Sequence, residues 1–145
     1  MKKSELEQIF SSFNNKKVLI VGDAMIDAYM WGNIERMSPE APVPVVDINK
    51  LESRLGGAAN CALNVKSLGA NPILCTVVGN DNNGVKFEEL MKESSLSTEG
   101  MLVCSDRKTT VKTRVISEGK QQLRLDEEEK HPIIIEKQFL TNFKE

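Results

Sequence analysis

The chain has 145 residues, 40% of them apolar and 28% charged, which suits one domain with a sizeable core. Its 19 basic and 21 acidic residues give a net charge of −2, so there is no basic field for bulk nucleic-acid binding. Three cysteines, a single histidine and the lack of a long apolar run speak against a disulfide frame, a zinc site and a membrane span. The N-terminus leads into an amphipathic segment, not a signal-like apolar stretch, so a cytoplasmic protein is expected.

Ser4-Glu5-Leu6-Glu7 has the form of a capping box, and Leu6, Ile9, Phe10 and Phe13 come next at helical spacing on one face. Asn14-Asn15 ends that helix. Lys17 to Asp23 is a run of apolar, mostly β-branched residues entering a Gly-Asp turn. Such a run suits a central parallel strand covered on both faces, and ligands collect at the carboxyl ends of such strands. Asp23 and Asp27 lie at or just beyond that end. Asp27 is followed by Ala28-Tyr29-Met30-Trp31. A carboxylate beside such an apolar run needs donors, and sugar hydroxyls could supply them.

Gly32 to Pro44 reads as irregular, with a short proline-bearing edge strand over Val43 to Ile48. Lys50 to Arg54 is polar and leads to Leu55-Gly56-Gly57-Ala58-Ala59-Asn60. This glycine pair gives a ligand close access to backbone, and the next helix adds free N–H groups. Taken alone, the pair is more simply a tight turn. The helix, about Ala58 to Leu68, closes on Gly69. Ile73 to Gly79 is a second buried strand. Strand, return, helix and strand together imply a βαβ crossover and a mainly parallel sheet. Gly79 to Gly84 has the spacing of a phosphate loop but lacks the Lys-Ser or Lys-Thr that completes one, and that motif is rejected. Asn83 or a neighbour caps a helix over about Val85 to Glu93, whose buried stripe is Phe87, Leu90 and Met91.

From Thr109 the period becomes two. Val111, Thr113 and Val115 face one way, and Lys112, Arg114 and Ile116 the other. Ser117-Glu118-Gly119-Lys120 is a hairpin turn, and Gln121 to Leu125 returns. One face can gather Lys112, Arg114 and either Gln122 or Arg124. Asp126 to Glu129 is an acidic run, most simply solvated. Pro132 to the end reads as a helix with Ile135, Phe139 and Phe143 in a stripe.

Gly56-Gly57-Ala58-Ala59-Asn60-Cys61-Ala62, with Gly69 and Gly79 at their spacings, resembles the first signature of the PfkB (ribokinase-like) carbohydrate kinases. Four further blocks narrow the resemblance: Val21 to Asp27, Ser38 to Val45, Thr109 to Val115, and Gln121 to Asp126. With them the chain is similar to the kinases that phosphorylate D-glycero-D-manno-heptose 7-phosphate at O1 with ATP, within the bifunctional heptose enzymes of lipopolysaccharide-core synthesis. The resemblance implies an α/β fold: a ribokinase-like, mainly parallel sheet flanked by helices, with a small β-lid. Residues 1–145 would be the N-terminal part of a single kinase domain, with lid segments about 28–48 and 109–125. It implies that Asp27 binds sugar hydroxyls and that Gly56, Gly57 and Asn60 line the sugar pocket. It implies ATP and Mg2+ as cofactors, a sugar phosphate as substrate, and a homodimer joined through the lid, with no nucleic acid or membrane partner. On chemical grounds Lys112, Arg114 and Arg124 are expected to contact the 7-phosphate.

One departure bears on activity. The family's later Gly-Ala-Gly-Asp segment, which supplies the anion hole and the catalytic base, does not occur in these residues. Phosphoryl transfer depends on positioning and on stabilising spreading negative charge, so the chain is expected not to turn over alone. Three readings remain: the sugar-binding half of a heptose 7-phosphate kinase, part of another PfkB kinase, or a non-catalytic binding and dimerisation module.

Overall fold

The structure is a computed structural model and describes residues 2–130. The C-terminal helix expected from Pro132 lies outside the described residues. The described part opens with α1 (Lys3–Phe13) and β1 (Lys17–Val21). Two long strands come next, β2 (Ala24–Met37) and β3 (Pro44–Gly57), then α2 (Ala58–Ser67), β4 (Asn71–Gly79) and α3 (Asn82–Glu93). The last elements are β5 (Met101–Cys104), β6 (Val111–Ser117) and β7 (Lys120–Glu127). They form two sheets: a three-stranded one in the order β1-β4-β5, and a four-stranded one in the order β3-β2-β6-β7.

The first sheet is parallel throughout, as the crossover predicted. Its middle strand is β4, with Leu74, Cys75 and Val78 each 1% exposed. Among the described residues β1 is an edge strand and not a central one. Its burial alternates, and Leu19 (53%) and Val21 (60%) stay exposed on the face opposite Ile20. Among the described residues the expected cover on both faces is therefore found on one only. α2 and α3 pack on that side, where Ala59, Ala62, Phe87 and Met91 form a core with Leu74 and Val78. The same core takes in Ile26, Leu55 and Val111, the inner ends of three strands of the second sheet. One hydrophobic cluster thus seats both sheets.

The second sheet corrects the reading of residues 32–54. The stretch expected to be irregular continues β2 as far as Met37, and β3 takes in both the proline-bearing segment and Lys50 to Arg54. Gly32 and the prolines look like breakers in sequence. In the fold they sit where breaks are tolerated. The β2–β3 register slips between Trp31 and Gly32, and again between Ile34 and Arg36. β3 lies on the sheet edge, where a missing N–H leaves no partner unpaired. β2 runs parallel to β6 and antiparallel to β3, and β6 forms the expected hairpin with β7. Glu118 and Gly119 at its turn both have positive φ, 53° and 72°, as a tight two-residue turn requires.

The start of α1 also differs from its reading. Ser4 is already helical, and Glu5 accepts from the Lys2 N–H at 2.9 Å, so the cap sits earlier than Ser4. No residue of α1 is buried, and Leu6, Ile9 and Phe10 remain exposed. The helix expected to be capped near Asn83 is capped by Asp81, whose Oδ1 accepts from Gly84 N at 2.7 Å. The short strand β5 has no counterpart in the sequence reading. No helix among the described residues is long and apolar enough to cross a membrane.

Asp81 does more than cap α3. Its carboxylate also accepts from the Thr109 N–H at 2.8 Å and from the Thr109 hydroxyl at 2.7 Å. The Thr109 oxygen accepts in turn from Gly79 N at 2.9 Å. This node fixes the chain just before β6 against the end of β4. Burial pushes the Asp81 carboxyl up, but the hydrogen bonds from Thr109, Gly84 and Asn83 outweigh it and hold the group below its ordinary value. A carboxyl depressed on folding stabilises the native state above its unfolded pKa, about 4, and loses that effect as pH falls through the folded value. Asp81→Asn should therefore cost about 2 kcal/mol near neutral pH. In thermal melts taken from pH 7 to pH 3, the gap between wild type and variant should close at the acid end. A gap independent of pH would show that the charge of Asp81 has no part in it.

Candidate functional site

The site is assembled where β1 ends and the second sheet begins. After Val21 the chain turns through Gly22-Asp23 into β2, and the Asp23 carbonyl accepts from the Ala58 N–H at 2.9 Å. The glycine pair is thereby drawn against this turn. Gly57 has φ +59°, and a Cβ there would fall 2.5 Å from the Asp23 oxygen. The position combines a left-handed backbone with the absence of side-chain room, and only glycine meets both demands. Gly56 pairs with Met25 across the β2–β3 ladder, and a Cβ on it would lie 2.5 Å from Asp27 Oδ2. The missing side chain makes the room that the Asp27 carboxylate occupies.

Asp27 is half-buried on β2, and its Oδ1 accepts from Arg114 Nη1 at 2.6 Å. The guanidinium is held above its ordinary pKa, chiefly by this hydrogen bond to Asp27. The pairing comes from register: Asp27 stands opposite Lys112, and Tyr29 opposite Arg114, in the parallel β2–β6 ladder. Tyr29 in turn lies between two arginines, with the Arg54 carbon 5.1 Å and the Arg114 carbon 5.5 Å from its ring centre. Tyr29 and Trp31 stack at 6.2 Å, and Lys50 sits 5.9 Å over Trp31. The Trp31 Nε1 is buried with no hydrogen-bond partner among the described residues.

The expected basic cluster is a set of ion pairs. Lys112 Nζ lies 3.0 Å from Asp126 and 3.2 Å from Glu128. Arg124, which stands opposite Arg114 in the hairpin, pairs with Asp126 at 2.9 Å. Lys112 is raised by Asp126 and then by Glu128. Asp126 is lowered chiefly by Lys112, against an opposing effect of burial, and further by Arg124. On β3 Glu52 is lowered by hydrogen bonds from Arg54 and then from Lys50. The acidic run after Leu125 is thus engaged by the hairpin, and not simply solvated. A face carrying both signs in contact attracts a net anion only weakly, because each of these cations already has a partner.

The structure therefore brings Asp27, Gly56, Gly57 and Arg114 together at one spot. Asn60 is exposed in the first turn of α2, next to the pair. Lys112 adjoins Asp27 across the ladder, and Arg124 lies farther out on β7, 52% exposed at its side chain. Sequence reasoning missed Arg54, Tyr29 and Trp31 as one face with Asp27. The alternation of Asp27, Tyr29 and Trp31 along a strand is a signal for it, visible once β2 is known to be continuous. It also missed Arg107. A cavity of about 470 Å³ lies at the carboxyl ends of β1 and β4, with Asp23, Arg107, Thr110 and Lys112 in its lining.

The chain is similar to known proteins in sequence and in fold. The Bifunctional protein HldE of Helicobacter pylori (strain J99) is 48% identical over 118 residues, 81% of this chain and 26% of that protein. The Bifunctional protein HldE of Pelobacter propionicus is 40% identical over 136 residues, 94% of this chain and 28% of that protein. The chain thus spans little more than a quarter of these curated relatives. Among solved structures, the Methanocaldococcus jannaschii nucleoside kinase, an archaeal member of the ribokinase family, superposes with a TM-score of 0.58 at 21% identity. It is covered over 37% of its length by 79% of this chain. The Cryptococcus neoformans ribokinase in complex with ADP gives 0.56 at 20% identity, with 78% of this chain on 34% of that one. The fold is ribokinase-like and represents part of the fold of those enzymes. The model of the pfkB family carbohydrate kinases matches residues 15–142, and the chain belongs to that family.

Proposed function

We propose that this chain is the sugar-binding part of an ATP-dependent kinase that phosphorylates O1 of D-glycero-D-manno-heptose 7-phosphate, in the cytoplasm, on the way to ADP-heptose and the lipopolysaccharide core. The observation that carries the reading is the Asp27 carboxylate, oriented by Arg114 and packed against Gly56, whose lack of a side chain makes room for it. A carboxylate held by one oxygen keeps acceptor capacity on the other, and neighbouring sugar hydroxyls are matching donors. The heptose specificity is supported by the HldE relatives and rests on likeness to them.

In this reading Arg114 acts first on Asp27. Lys112 and Arg124 reach a substrate phosphate only by giving up Asp126 and Glu128. Tyr29 packs between Arg54 and Arg114 and so helps hold Arg114 beside the carboxylate. ATP and Mg2+ are implied by the family. Among the described residues no group of three or more His, Cys, Asp and Glu side chains gathers to hold a metal ion. The chemistry these residues supply is recognition and orientation of the sugar.

Titration calorimetry of the chain with D-glycero-D-manno-heptose 7-phosphate tests the reading. Binding without turnover of added ATP is expected, and Asp27→Asn should weaken it by about tenfold or more, the loss of one charge-assisted hydrogen bond. Gly56→Ala should weaken it comparably, because the new methyl meets the Asp27 carboxylate and the Met25 side chain. Unchanged affinity in both variants would remove Asp27 from the sugar site.

A second observation favours self-association through the four-stranded sheet. Leu51 (69% exposed), Leu123 (53%) and Leu125 (48%) lie on the face that carries Ile26 and Val111 at its base, but beyond the reach of the core. We read this face as the contact between two copies, since an apolar patch of this kind gains by being covered. Sedimentation of the wild type should give a dimer, and Leu123→Lys should shift it to monomer with little change in melting temperature. A monomeric wild type at high micromolar concentration would defeat this assignment.

A further inference from the structure

The cavity at the ends of β1 and β4 holds a cation that the ion pairs of the second sheet do not use. Arg107 lines it and is half-buried. The other cations of the lining, Lys112 and Lys130, are both held by Glu128, and Lys112 also by Asp126. Among the described residues Arg107 forms no ion pair with a carboxylate.

Its backbone is fixed on both sides. The Arg107 carbonyl packs on Gly79, where a Cβ would lie 2.5 Å from it. Two residues on, Thr109 is locked by Asp81 and by the Gly79 N–H. The guanidinium is thus carried on a rigid loop, partly withdrawn from water, at the strand ends where α/β sheets bind ligands. A planar fork of donors in that position is complementary to a phosphate, and its pre-set geometry lowers the cost of binding one. Lys112 joins the cavity to the sugar site, since it lines the one and stands opposite Asp27 in the ladder of the other.

We propose that Arg107 is the anchoring cation of a phosphate-binding subsite in this cavity, adjoining the Asp27 site. The assignment rests on the sugar-kinase reading for its setting. The phosphate is a monoester on the sugar or the terminal group of the nucleotide, and both present the same chemistry to the guanidinium. Asp23, Glu128 and Glu129 in the same lining set an upper limit on how many anionic groups enter.

The test is calorimetric titration of wild type, Arg107→Ala and Arg107→Lys with four probes: D-glycero-D-manno-heptose 7-phosphate, unphosphorylated D-glycero-D-manno-heptose, ATP and inorganic phosphate. Matching circular-dichroism melts would show that the variants remain folded. Arg107→Ala should weaken a phosphate-bearing probe by roughly 10- to 100-fold, the range of one or two charge-assisted hydrogen bonds. It should leave the unphosphorylated heptose unaffected, and Arg107→Lys should recover part of the loss. A fall confined to heptose 7-phosphate assigns the subsite to the sugar, and a fall confined to ATP assigns it to the nucleotide. If Arg107→Ala binds every phosphate probe as the wild type does, or if the wild type binds none of them, the subsite does not exist. The kinase reading fails separately: Asp27→Asn would then leave heptose affinity unchanged while phosphate binding still depended on Arg107.

Discussion

The close approach of the Asp23 carbonyl to the backbone at Gly57 governs the geometry of the second sheet. At that point the turn after β1, the last residue of β3 and the first N–H of α2 meet, with the Asp23 oxygen accepting from Ala58. No side chain fits between them. The contact brings β3 in beside β2 with Met25 opposite Gly56, and from that register Asp27 falls beside Arg54 on one strand and Lys112 on the other. A looser turn would shift the ladder, and a shift of one residue would send Asp27, Tyr29 and Trp31 to the opposite face. The polar face of the second sheet is thus a consequence of how tightly its base is packed.

That face is built from opposed charges. Lys50 and Arg54 on β3, Lys112 and Arg114 on β6, and Arg124 on β7 each meet a carboxylate. The carboxylates of Glu52, Asp126 and Glu128 are each shared by two cations. Such a network fixes long side chains in place more than it stabilises the fold, because exposed pairs are screened by water and salt. Its value lies in orientation. Arg114 spans Asp27 and the Tyr29 ring and so couples a carboxylate to an aromatic surface. Arg107 stands outside this network, on a loop held by Asp81 at the neck between the sheets.

Much of the α/β body was legible in the sequence because its signals are local. The period of Phe87, Leu90 and Met91, the glycine after Leu68 and the apolar run before Gly79 each fix an element without reference to anything distant. The hairpin was legible for the same reason: alternation and a Glu118-Gly119 turn suffice. The length of β2 and β3 was not, because Gly32 and the polar stretch from Lys50 to Arg54 carry the local marks of breaks, whereas Pro39 and Pro42 do mark the turn between the strands. What keeps the strands continuous is cross-strand pairing with bulges, a non-local property. The short strand β5 has too few residues to show a period. The partners of Lys112 and Arg124 were hidden for a different reason. Their acids lie in a run that reads as solvated, and only the β6–β7 register brings Asp126 opposite Lys112.

The length of β2 has a mechanical meaning. Its inner end is gripped by the core at Ile26 and Ala28, and its outer residues from Tyr29 to Met37 extend beyond that grip. At about 3.3 Å per residue, about nine residues make an arm of roughly 30 Å. A rotation of about 10° at the base would carry the tip of such an arm through roughly 5 Å, while Asp27, close to the pivot, would scarcely be displaced. The Asp27 carboxylate is therefore placed at the still point of the sheet, and whatever sweep the sheet has belongs to its far end.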